Sequence, residues 1–169
     1  VLSGGQLSYS QYLIKGTRAS FTSPSNVTVM GGAAIAVLIL RGYDDDVQRY
    51  SQERGLMPDV LSRQLDLYGG RWAYPVLMGM SWVTPGSKDE RLERLKLSLS
   101  AVGVTAATTS LIKEITGRER PNGNDKRSFP SGHTSGSFTV AAVVEALYGK
   151  NAGSAAYLLA ALVGAHRIH

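Results

Sequence analysis

The stretch KEITGRERPNGNDKRSFPSGHTSG, residues 113–136, holds five cations in its first fifteen residues and then turns to Pro-Ser-Gly-His with no charged neighbour. These types in this order suit the binding of a phosphate group with proton transfer beside it. Arg120 offers a planar fork that meets phosphate oxygens two at a time, and Lys113 adds a point charge. Gly132 lets backbone approach a bound anion closely. His133 is the side chain of this group that exchanges protons near neutral pH. Taken singly, each has a plainer role: Lys113 as a helix-end cation, Arg120 as a solvated loop residue, Ser131 as a helix cap, His133 as a packed or surface histidine. Their joint occurrence favours the chemical reading.

Such a site needs helices to hold it. Ser8–Phe21 reads as a first helix. Ser23-Pro24 is a start signal for a second, running to about Leu40 and stopped by Gly42. The acidic triplet Asp44, Asp45, Asp46 suits the amino end of a short helix as a solvated cap. Pro58 opens another short helix through Leu67, ended by Gly69-Gly70. Trp72–Val83 is helical and closes at Thr84-Pro85-Gly86. Ser87-Lys88-Asp89-Glu90 has the spacing of a capping box. Leu92, Leu95, Leu99 and Val102 then recur at helical spacing, so a long helix reaches Ile115 and sets Lys113 near its carboxyl end. Residues 117–129 form a polar loop. Ser131–Tyr148 is helical, Gly149–Gly153 is a turn, and Ser154–Arg167 is the last helix. The loop thus carries the end of one helix to the start of the next, where unpaired N–H groups and the positive end of the dipole make a ready anion site. The expected architecture is all-α, a bundle of about six or more helices in one domain, 1–169.

The bulk properties agree. At 169 residues, 43% of them hydrophobic and few aromatic, the chain suits one domain of closely packed helices. A formal charge of +5 is compatible with nucleic acid, anionic membrane or a phosphorylated small molecule. Aromatic residues do not interleave with the basic ones, which argues against nucleic acid. Cysteine is absent, which excludes a thiolate nucleophile and a Cys-based metal site. Val1–Tyr12 lacks the basic start and apolar run of a signal sequence, though a processed terminus would look the same. The weakly polar stretches 27–40, 72–83, 97–112 and 152–165 each fall short of the roughly 20 apolar residues of a spanning helix, and read as buried core helices.

Lys113, six intervening residues and Arg120-Pro121 resemble the first signature of the type 2 phosphatidic acid phosphatase superfamily, which includes bacterial acid phosphatases, lipid phosphatases and vanadium haloperoxidases. Pro130-Ser131-Gly132-His133 resembles its second. The third opens with Ser-Arg; here Arg167 stands at the arginine, with His166 in place of the serine. The likeness covers about the carboxyl third of the chain.

The resemblance implies that Lys113, Arg120 and Arg167 hold phosphate oxygens, that Ser131 and the Gly132 N–H contact the phosphate, and that His133 protonates the leaving oxygen. The family nucleophile is a histidine six residues beyond the motif arginine, at position 173, beyond His169. A longer protein supplying it, and the carboxylate that orients it, is therefore expected. Two displacements at phosphorus follow, with a phosphohistidine between them. No cofactor or metal is expected, because Lys and Arg carry the charge that magnesium otherwise supplies; phosphate or vanadate could occupy the pocket. Arg118, Lys126 and Arg127 are expected to attract anionic substrates without touching the transferred group. His166 and His169 read as structural or exposed.

The leading expectation is a metal-independent phosphatase acting on a lipid or soluble phosphomonoester. A vanadium-dependent haloperoxidase and a non-catalytic phosphate- or headgroup-binding relative are the alternatives. For a bacterial member the resemblance implies a cell-envelope location, periplasmic or membrane-associated. Peripheral or integral membrane contact fits the apolar helices, and no nucleic-acid partner is expected.

Overall fold

The computed structural model describes residues 8–24, 27–28, 31–32, 35, 41–43, 46, 49–50, 53, 57–119 and 126–166, and among them regular structure is entirely helical. The chain divides into two compact units, Val1–Arg54 and Gly55–His169.

In the first unit α1 spans Tyr9–Thr22, one residue from the expected bounds. Ser8 caps it reciprocally: the Gln11 N–H donates to Ser8 Oγ at 3.4 Å and the Ser8 N–H donates to Gln11 Oε1 at 3.0 Å. A single 3-10 turn covers Arg41–Tyr43 around Gly42. The helix expected over 25–40 falls largely outside the described residues, as do Asp44 and Asp45. Asp46 pairs with Arg49 at 2.8 Å, an exposed contact of the solvated kind expected.

The second unit contains α2 (Asp59–Leu67), a π turn (Tyr68–Trp72), α3 (Ala73–Val83), α4 (Lys88–Thr116), α5 (Gly132–Tyr148) and α6 (Lys150–His166). With residues 59–83 counted as one rod, five helices are described, α1 included, against the six or more expected. The most extensive pairing is α5 with α6; α4 lies on α3 and α5, α2 on α6, and the π turn on α5.

Two glycine pairs behave differently from expectation. Gly69-Gly70 does not end a helix, because the backbone widens by one residue and continues, the Ala73 N–H donating to the Tyr68 carbonyl. Each glycine inside a helix costs about 1 kcal/mol against alanine, which is why the pair reads as a stop. Here the absent side chains make room: a Cβ on Gly69 would sit 2.9 Å from Val163 Cγ1, and one on Gly70 2.6 Å from His133 Nε2. Gly149–Gly153 is likewise not a turn throughout. Gly149 alone, at φ 86°, reverses the chain, and α6 begins at Lys150, four residues earlier than expected. Gly153 lies within α6 and lets it close on α5, since a Cβ there would stand 2.5 Å from Glu145 Cβ.

The long helix forms as its cap dictates. The Ser87 N–H donates to Glu90 Oε2 at 2.7 Å and the Glu90 N–H to Ser87 Oγ at 3.2 Å. Gly117, left-handed at φ 53°, ends it by donating its N–H to the Lys113 carbonyl. Arg94 fastens α4 to the end of α3, its Nε on the Ser81 carbonyl at 3.1 Å and its Nη2 on the Thr84 carbonyl at 2.7 Å. These carbonyls belong to the last turn of α3 and its cap, where helical partners run out.

The core joins Ala73 and Leu77 of α3 to Val140, Val143 and Val144 of α5. Hydroxyl pairs also bind the helices to one another. Ser81 meets Ser98 at 2.9 Å between α3 and α4, both fully buried, and Thr105 meets Thr139 at 2.6 Å between α4 and α5. Outside, Leu99, Leu111 and Ile115 of α4 are 48%, 61% and 73% exposed. The 97–112 stretch is therefore not a buried core helix as expected. It belongs to a 29-residue helix whose most apolar window has mean hydropathy 1.4 and is 11% buried, long and apolar enough to cross a membrane. Arg94 and Lys96 lie one turn before that stretch, so charge marks where the apolar part begins.

Candidate active site

The site forms where α5 begins. Ser131 is its N-cap, in extended conformation, and its Oγ accepts from the Thr134 N–H at 3.4 Å. A hydroxyl that accepts keeps a proton to donate, so capping and anion contact are compatible. Beyond its chain neighbours and its own helix backbone, no atom of the described residues lies within 4 Å of the position a Gly132 Cβ would take, so the space over this glycine is open among them. His133 follows in the first turn, where the helix dipole favours an anion.

Beside His133 stands a carboxylate carried by α2. His133 Nε2 is 3.3 Å from Asp66 Oδ1, and the same oxygen is 3.7 Å from His166 Nε2. Ser62 Oγ lies 2.8 Å from His166 Nδ1. Three helices thus converge: α2 brings Ser62 and Asp66, α5 brings His133, and α6 ends with His166. Ser62 and Asp66 are one turn apart on a single face of α2, and Gly69 and Gly70 extend that face. The π turn sets the glycines against the imidazole, and extra turns of this kind are frequent at functional sites. The His166 side chain is 13% exposed, and its buried Nε2 has no hydrogen-bond partner among the described residues. Asp66 is half exposed, so the cluster opens to solvent on its side. Burial raises the Tyr68 and Tyr74 phenols above their ordinary range.

The cationic segment is arranged differently. Lys113 Nζ donates to the Arg127 carbonyl at 2.6 Å, and Thr116 Oγ1 donates to the Phe129 carbonyl at 2.9 Å, so the end of α4 is tied to the strand of loop that leads into Ser131. The expected phosphate ligand Lys113 therefore spends a donor on its own loop. Arg127 pairs with Glu114, and Lys126 with Glu119 at 3.4 Å. These exposed pairs offset part of the positive potential expected of Lys126 and Arg127. Ser128 closes the loop onto the Arg118 carbonyl through its N–H at 3.0 Å and its hydroxyl at 2.9 Å. Arg120 and Arg167 lie outside the described residues, as does His169.

Of the expected site, Ser131, Gly132 and His133 share one helix start, and Lys113 braces the segment leading to it. Sequence reasoning missed Asp66 and Ser62. The available signal was the run Ser62, Asp66, Gly69, Gly70, small or polar at successive helical turns where an apolar stripe would be usual. His166, expected to be structural or exposed, is partly buried, with Nδ1 at 2.8 Å from Ser62 Oγ. Comparison with protein-family models, with curated proteins and with solved structures finds no match to this chain.

Proposed function

We propose that the chain carries the phosphate-binding and acid half of a metal-independent phosphoric monoester hydrolase of the type 2 phosphatidic acid phosphatase kind. The observation that carries this reading is the first turn of α5, where the Ser131 cap, open Gly132 and His133 meet in one anion-favouring helix start, with a carboxylate beside the imidazole. In the proposed reaction a histidine supplied downstream, at position 173, attacks phosphorus. The bond from phosphorus to the ester oxygen breaks, and His133 gives that oxygen a proton. Water then attacks the phosphohistidine, losing its proton to the now neutral His133, and the phosphorus–nitrogen bond breaks to release phosphate. The Gly132 N–H, Ser131 and the motif cations Lys113, Arg120 and Arg167 stabilise the negative oxygens throughout.

A membrane-surface setting is part of the proposal. Serines 81, 98 and 137 are buried beside the apolar core while leucines and an isoleucine of α4 face outward, in keeping with helices packed in lipid. Phosphorylated lipids are then the favoured substrates, and a bacterial envelope location accompanies the family likeness. One observation favours the non-catalytic alternative, a headgroup-binding relative: the loop cations already have partners within the protein.

Phosphate release from an aryl phosphate in EDTA separates these readings, measured with the 169-residue chain and with a form extended through the third motif. Release by the extended form alone is expected. Silence in both forms despite vanadate binding would favour the binding module, and vanadate-dependent halide oxidation without phosphate release would favour the haloperoxidase.

A further inference from the structure

We infer that Asp66 is the positioning residue of His133. Its Oδ1 lies 3.3 Å from Nε2 of His133, and Gly69 and Gly70 leave the ring no room to retreat, a Cβ on Gly70 falling 2.6 Å from the same nitrogen. The imidazole is thus confined between a carboxylate and bare backbone. A carboxylate on one ring nitrogen fixes the tautomer and turns the other nitrogen toward the reacting group. Here Asp66 Oδ1 stands within reach as an acceptor for an Nε2–H of His133.

Asp66 also has His166 beside it, beyond hydrogen-bond distance. His166 Nε2 lies 3.7 Å from the same Oδ1, and Ser62, one turn back on α2, holds His166 through Nδ1 at 2.8 Å. Ser62, His166, Asp66 and His133 therefore form one chain of polar contacts across α2, α6 and α5. It places His133 near the residue immediately before Arg167 in sequence. The functional half of this inference rests on the reading of His133 as the acid, but the geometric half does not.

The test has two arms. In the 169-residue chain, ring-nitrogen NMR of His133 is compared between wild type and Asp66→Ala, with Asp66→Asn as the variant of conserved shape. The expected result is an exchange-protected, downfield Nε2–H proton in wild type, lost in Asp66→Ala and weakened in Asp66→Asn. The same signal in all three proteins overturns the inference. In the chain extended through the third motif, Asp66→Asn is expected to lower kcat about ten- to a hundredfold with KM little changed, part of the factor a positioned general acid contributes. Unchanged kcat in Asp66→Asn, beside an inactive His133→Ala, overturns the positioning role and leaves the phosphatase reading intact. A protected Nε2–H lost in Asp66→Ala, with no phosphate release from any form, upholds the positioning and rejects the phosphatase.

Discussion

The histidine corner and the cationic loop adjoin in sequence but are held by different physics. At the corner, partners come from 104 residues apart, as with Ser62 and His166, and geometry follows from the packing of three helices. In the loop, partners are near in sequence and exposed: Arg127 on Glu114, Lys126 on Glu119, Lys113 on the Arg127 carbonyl. Exposed pairs of that kind contribute about 0–1 kcal/mol and weaken as salt rises. The corner is therefore fixed by helix packing and the loop by salt-sensitive surface pairs; in the proposed function the first would set the geometry of proton transfer and the second would help capture an anionic substrate.

Substitutions can break or sharpen this contrast. The largest effect is expected from His133→Ala in the extended chain, a fall in kcat of about 10²–10⁴ with the fold retained by circular dichroism. Retained turnover would remove the corner from the chemistry. Gly70→Ala comes next. The new Cβ would meet His133 Nε2 at 2.6 Å, so the ring must shift, while alanine raises helix propensity by about 1 kcal/mol. Turnover should drop about tenfold or more with Tm changed by only a few degrees, a separation of activity from stability read by assay and melting curve. Parallel losses would mean that the glycine serves packing alone.

A smaller effect tests the hydroxyl interior. Ser81 Oγ donates to the Leu77 carbonyl at 2.9 Å and so accepts from Ser98. Ser98→Ala leaves Ser81 bonded and should cost about 1 kcal/mol, whereas Ser81→Ala strands the Ser98 hydroxyl and should cost about 1–3 kcal/mol. Equal costs in denaturant titrations would deny that bond direction. The smallest effect belongs to the loop. Lys126→Gln with Arg127→Gln should raise KM for an anionic substrate a few-fold at low salt, with kcat unchanged and the difference lost at high salt. A fall in kcat would place these residues in the transition state.

Local signals in the sequence were the reliable ones. The Ser87 and Glu90 cap, the periodic leucines after it and Gly117 at its end are carried by neighbouring residues, and α4 forms where they place it. The start of α5 at Ser131 was legible for the same reason. Glycine pairs misled, because glycine serves close approach as readily as chain reversal. What distinguishes the two uses is the neighbour across the gap, His133 for Gly70 and Glu145 for Gly153. Asp66 stayed hidden because its meaning depends on helices that arrive some seventy and one hundred residues later. The outward face of α4 was misjudged because apolar content alone does not say whether protein or lipid covers it.

The central claim, that His133 protonates a leaving oxygen, is tested most directly by the leaving group itself. His133→Ala and wild type, both in the extended chain with EDTA, would be compared on an alkyl phosphate and on a nitrophenyl phosphate. An acidic phenol departs without protonation and an alcohol does not, so the variant should lose far more activity on the alkyl ester. Equal losses on both esters would contradict the claim and reduce His133 to a residue that binds phosphate or maintains the corner.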